Sequence, residues 1–105
     1  MTAVGSFPYL RVGIGVGAHR LRLTVAGRLD AASAQLLTRV ACDAMRRHGA
    51  AVCEVVADDV TDVDDAGAAA VQACRAEAER RGLVFSLSGG PDRLRAAVED
   101  HTESW

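Results

Sequence analysis

Apolar residues alternate with small or polar ones from Leu10 to Val16, with Leu10, Val12, Ile14 and Val16 on one side, and this period of two predicts a half-buried strand. Leu21, Leu23 and Val25 repeat the pattern against Arg22, Thr24 and Ala26, predicting a second strand with one wet face. Gly17-Ala18-His19 between them reads as a hairpin connection. After Gly27-Arg28-Leu29-Asp30 the period changes. Leu36, Leu37, Val40, Ala41, Ala44 and Met45 recur at three- and four-residue intervals, which predicts an amphipathic helix to about His48. Asp30 stands before it as an N-cap, Arg46, Arg47 and His48 place positive charge in its last turn, and Gly49 suits the position beyond. Val52, Val55 and Val56 begin a buried strand that runs into Asp58, Asp59, Asp62, Asp64 and Asp65. A second helix follows over Ala66 to Arg81, with Asp64 or Asp65 as its N-cap and Ala70, Val71, Cys74 and Ala78 inward. Leu83 to Leu87 predicts a fourth strand. Ser88-Gly89-Gly90-Pro91 predicts a turn with Pro91 at the first helical position, and Leu94, Ala97 and Val98 give the last helix its apolar side.

The predicted order is strand, strand, helix, strand, helix, strand, helix (β-β-α-β-α-β-α). It describes an α/β fold in which a mixed four- or five-stranded sheet carries packed helices. The opening pair fits an antiparallel hairpin, and the later strands fit parallel pairing through right-handed crossovers. A length of 105 residues suits one domain. Residues 1–7 are expected to be a flexible N-terminus, 8–100 the domain, and 101–105 a polar C-terminal tail.

Composition narrows the chemistry. Half the residues are apolar and a quarter are charged, so the chain is globular. The formal net charge is −2 and no basic stretch exceeds two adjacent arginines, so nucleic acid is not an expected partner. All 12 basic residues are Arg, which removes every mechanism that needs a lysine. Cys42, Cys53 and Cys74 have neither disulfide-framework nor zinc spacing and read as buried thiols, with a redox role for Cys74 as the alternative. No apolar run approaches the ~20 residues of a membrane span, and the start lacks signal-peptide character. The expected setting is the cytoplasm without membrane insertion, and a homodimer is compatible with the size.

Five Asp residues therefore crowd one strand–helix junction. In open α/β sheets that edge is where sites gather. A calcium loop starting at Asp62 would place Asp64 third and Gly67 sixth, but Ala66 and Ala73 then stand where oxygen ligands are needed. A phospho-accepting receiver needs acids on two strand ends and a lysine; Asp30 is the only other strand-end acid. A metal-dependent enzyme using the cluster from Asp58 to Asp65 is a further alternative. Ser6, Ser33, Ser86, Ser88 and Ser104 have no His at a suggestive spacing, and His19, His48 and His101 fall on a turn, a helix end and the tail. Gly13-Ile14-Gly15-Val16-Gly17 lies within a strand that enters a hairpin, the wrong context for a phosphate loop. There remains a recognition loop at a helix N-terminus, with no cofactor, set against solvated acids of which one caps the helix.

Gly27-Arg28-Leu29-Asp30 before the first helix, Val63-Asp64-Asp65-Ala66-Gly67 opening the second, and Arg80-Arg81-Gly82-Leu83-Val84-Phe85 after it together resemble the STAS domains, in particular the anti-sigma-factor antagonists. The likeness runs from about Leu10 to Val98. It implies a non-enzymatic, anti-anti-sigma-type regulator that binds an anti-sigma factor of the ATP-binding kinase class through Asp30, Asp64, Asp65, Ala66 and Gly67. In that family the loop reads apolar-D-S-S-G or apolar-D-S-T-G, and its second hydroxyl takes a phosphate that releases the partner. Here that phospho-acceptor position is Ala66, and Asp65 precedes it. The resemblance thus implies a non-phosphorylatable member, either a constitutive binder or one resembling the phosphorylated state. Ala68, Ala69 and Ala70 replace the large aliphatics that usually follow the Gly. A loop of the form D-x-A-G is also similar to the STAS subunit of bacterial lipid-transport ABC complexes, which docks on a transporter ATPase.

Overall fold

Two alternating strands start the core. The structure, a computed structural model, describes residues 2–7 and 10–103, with side chains for residues 10–98. Strand β2 (Leu10–Val16) pairs antiparallel with β3 (Arg20–Leu29), Val12 opposite Val25 and Ile14 opposite Leu23. Leu10, Val12, Leu21, Leu23 and Val25 are buried, so the period-two reading holds on both strands. The stretch read as a flexible N-terminus is different. Thr2–Phe7 forms β1, an edge strand antiparallel to β2, with a register shift between Ala3 and Gly5. Backbone pairing orders this segment although its small residues carry little hydrophobic signal.

Helix α1 (Ala34–Arg47) follows β3, and β4 (Val52–Val63) returns parallel to it. Helix α2 (Asp65–Arg80) leads to β5 (Val84–Ser88), parallel to β4, and α3 (Asp92–Glu103) closes the described chain. The sheet has five strands in the order β1-β2-β3-β4-β5. Leu37, Ala41, Ala44 and Met45 of α1 and Val71, Cys74 and Ala78 of α2 bury against the sheet face that carries Leu23, Cys53 and Val55. The other sheet face is open to solvent. There Arg20 and Arg22 both reach Glu54, at 3.1 and 3.2 Å.

Strand β4 is longer than the valine run indicated. It continues through the acids to Val63 because two residues are added relative to β3, one between Val56 and Asp59 and one between Val60 and Asp62. Each addition bulges the strand and turns the next side chains. Burial then falls on every third residue, Ala57, Val60 and Val63, while Asp58, Asp59, Thr61 and Asp62 face solvent. The turn after β5 rests on the first bulge. Gly89 has φ +73°, and a Cβ there would overlap the Asp58 carboxylate, so this position needs glycine. Among the described residues no helix is long and apolar enough to cross a membrane.

Candidate functional site

The ends of β3 and β4 carry two tight turns that hold each other. In the first, Asp30 Oδ1 accepts from the N–H groups of Ala32 (3.0 Å) and Ser33 (3.2 Å). Asp30 therefore caps a turn, while Ser33 occupies the N-cap position of α1 itself. Ser33 is buried; its hydroxyl donates to the Arg28 carbonyl at 2.8 Å and accepts from the Asp30 N–H at 3.1 Å. Ser33 is thus the bracket of this turn, a role that no local pattern announced.

In the second turn Asp64 is the N-cap of α2, its Oδ1 accepting from the Gly67 N–H at 2.9 Å. Its other oxygen accepts from the Ala31 N–H at 3.2 Å, and its own N–H donates to the Leu29 carbonyl at 3.2 Å. One carboxylate therefore ties the start of α2 to the turn before α1. The Gly67 N–H holds the Asp64 carboxyl below the usual 3.8, against partial desolvation, with the N–H groups of Ala31 and Ala66 and the charge of Arg93 assisting.

Gly67 is where the two turns touch. A Cβ at that position would lie 2.8 Å from the carbonyl carbon of Leu29 and 2.8 Å from Val63 Cγ2. Only a residue without a side chain lets the first turn of α2 approach the β3 backbone this closely.

Asp65 caps nothing. Its side chain is 96% exposed and forms an ion pair with Arg93 of α3. Arg93 lies 28 positions away in sequence, and no local pattern announces it. Asp30, Asp64, Asp65, Ala66 and Gly67 thus come together at one end of the molecule, with Asp62 at its border, while Asp58 and Asp59 lie farther back along β4. Asp58 lies beside Gly89, Asp59 pairs in register with Ala26, and Asp62 with Arg28. Among the described residues no group of three or more His, Cys, Asp or Glu is arranged to hold a metal ion. Acids outnumber bases at this end, where Arg28 and Arg93 are the nearby cations.

Two of the three thiols lie in the core, whereas Cys42 of α1, expected to be buried with them, is only half-buried. Cys53 and Cys74 are buried, and burial pushes the first up to about 11 and the second to about 12, with Cys42 and Cys53 adding to the rise at Cys74. A protonated, enclosed thiol is a poor nucleophile. This opposes a redox role for Cys74.

No family model matches the sequence, and no curated protein matches it. Solved structures do match the fold. An anti-sigma factor antagonist from Mycobacterium paratuberculosis superposes with a TM-score of 0.71 at 13% identity, over 92% of this chain and 82% of that one. The anti-sigma factor antagonist SpoIIAA in its unphosphorylated form gives 0.65 at 14% identity, over 81% and 79%. A sulfate transporter family protein from Wolinella succinogenes gives 0.65 at 24% identity, over 84% and 70%. The chain has the STAS fold, as its three motif stretches implied.

Proposed function

We propose that this chain is a non-enzymatic, protein-binding regulator of the anti-sigma-factor-antagonist type. Its docking surface is the acidic end formed by Asp30, Asp64, Asp65, Ala66 and Gly67, and its partner is an anti-sigma factor of the ATP-binding kinase class. The observation that carries the reading is the Asp64 carboxylate, which braces two turns at once and presents a pre-formed surface. A surface fixed before contact loses little entropy on binding. The two antagonist structures that share the fold support this choice of partner.

Ala66 offers no hydroxyl, so the loop carries no phosphate-controlled release at that position. Asp65 supplies a charge, but Arg93 answers it within the same molecule. This favours a constitutive binder over a mimic of the phosphorylated state, because a mimic needs an uncompensated charge facing the partner. The action takes place in the cytoplasm, without insertion into a membrane.

A second reading has its own support. Asp64-Asp65-Ala66-Gly67 has the D-x-A-G form of transporter-docking STAS subunits, and a transporter-family structure shares the fold. On that reading the same surface docks on a transporter ATPase.

A pull-down from the native host separates the two, comparing wild type with the Asp65→Ser/Ala66→Ser double variant under mass spectrometry. The proposal expects wild type to retain an anti-sigma kinase and only the double variant to gain a phosphate. Recovery of a transporter ATPase by both forms would replace the first reading with the second.

A further inference from the structure

One flank of α1 is met by the edge strand β1 but by no second described helix. The inner side of α1 meets the sheet, α2 packs beside it, and α3 packs on the far side of α2, so no described helix covers the opposite flank of α1. An open groove of about 830 Å³ runs there. Its floor is apolar: Ile14 and Val16 come from the end of β2, and Leu36 and Val40 from α1. Val16 is 55% exposed, one of two large apolar side chains among the described residues that stand open to solvent.

The rim has one dominant sign. Arg39, Arg46, Arg47 and Arg81 border the groove, and Asp43 is the acid among its lining residues. Arg46 and Arg47 share that single carboxylate, at 2.5 and 3.0 Å, so positive charge remains in excess. Arg81 pairs with Glu77 at 2.6 Å, and Glu77 also takes Arg80. Arg39 has no ion-pair partner among the described residues.

We propose that this groove is a second docking surface, which takes an amphipathic helix from a partner protein, apolar on one side and flanked by Glu or Asp. The shape suits a helix: the groove follows α1, whose 14 residues extend about 21 Å, and it is concave, whereas a bilayer surface would need a protruding apolar face. A partner helix laid beside α1 would cover Val16 and Val40 with residues at i, i+3, i+4 and i+7. The excess arginine charge selects acidic flanks over basic ones. The acidic turns sit at the N-terminal end of α1 and the arginines gather toward its C-terminal end. One molecule can therefore hold a different partner on each surface, which makes the chain an adaptor. The groove stands independently of the partner assigned to the acidic end; the adaptor role rests on that reading as well.

The test is an NMR titration of the full chain with two synthetic peptides of about 18 residues, long enough to form helix. Both carry the same Leu stripe, one with Glu on its flanks and the other with Lys. The Glu peptide is expected to shift the amides of Ile14, Val16, Leu36 and Val40 saturably and to leave those of Asp64 and Gly67 in place. The Arg39→Glu/Arg47→Glu variant should weaken this binding by about tenfold, and Val16→Asp by a comparable factor. Thermal melts confirm that both variants are folded. Equal binding of the Lys peptide, shifts confined to other surfaces, or no saturable shift at millimolar Glu peptide would each overturn the proposal. So would association with phosphatidylglycerol vesicles in place of the peptide.

Discussion

Replacing Gly67 with Ala tests whether the approach of α2 to β3 sets the geometry of the acidic end. The added Cβ would sit 2.8 Å from the Leu29 carbonyl carbon and from Val63 Cγ2, and closer still to the Leu29 oxygen. Carbon atoms rest about 3.5–4.0 Å apart, so the first turn of α2 must retreat by roughly 0.7 Å or more. The Ala31 N–H to Asp64 bond, already 3.2 Å, would then pass out of range. Overpacking of this kind costs about 1–3 kcal/mol. Ala recovers up to about 1 kcal/mol through its better helix propensity. The obstruction is backbone and cannot swing aside, so the upper part of the range applies and the net loss is about 1–2 kcal/mol. For a domain of this size that lowers the melting temperature by roughly 5–15 °C. The assay is thermal denaturation followed by circular dichroism, with Gly49→Ala as the control. A Cβ at Gly49 meets nothing within 4 Å, so that variant should stay within about 0.5 kcal/mol of wild type. If Gly67→Ala melts within about 2 °C of wild type, the close approach is not a constraint and the reasoning fails.

Other consequences follow from the same contacts. The folded-state pKa of Asp64 lies below its ordinary 3.8, so its contribution to stability is complete above that value and is lost as pH falls through the folded pKa. Asp64→Asn should therefore be less stable than wild type at neutral pH, and urea midpoints measured across the acid range should converge below pH 3.8. Constant separation of the two curves down to the lowest pH would contradict this. Arg93→Ala removes an ion pair whose Asp65 partner is 96% exposed, so stability should change by no more than about 0.5 kcal/mol while partner affinity changes. A large drop in the melting temperature would show instead that Arg93 has a structural role. Cys53 and Cys74 should resist a thiol reagent in the native protein at neutral pH and react on unfolding. Rapid native labelling would contradict their burial.

The alternation of Leu10 to Val25 and the helical spacing of Leu36 to Met45 led directly to β2, β3 and α1, because one buried face imposes one period. Strand β4 was legible only as far as Ala57. Beyond it two bulges change the period from two to three, and Asp58-Asp59-Val60-Thr61-Asp62-Val63 then looks like a polar loop although it remains paired. Strand β1 was missed because main-chain pairing, which has no side-chain signature, orders it. At the candidate site local chemistry narrowed the N-cap of α2 to Asp64 or Asp65, whereas the need for Gly67 comes from the distant Leu29 backbone and had no local sign. Asp30 was read one turn early, because Ser33 sits between it and the helix. The Asp64 bond to Ala31 and the Asp65 pair with Arg93 span 33 and 28 positions, and such separations leave no trace in a local pattern.

Hydrogen exchange of the chain alone and with a saturating captured partner would map the docking surface itself. Added protection is expected at the amides of Ala31, Ala32, Ser33, Gly67 and Ala68, around the two turns that Asp64 joins. Protection confined to the open sheet face around Arg22 and Glu54, with those turns unchanged, would contradict that placement.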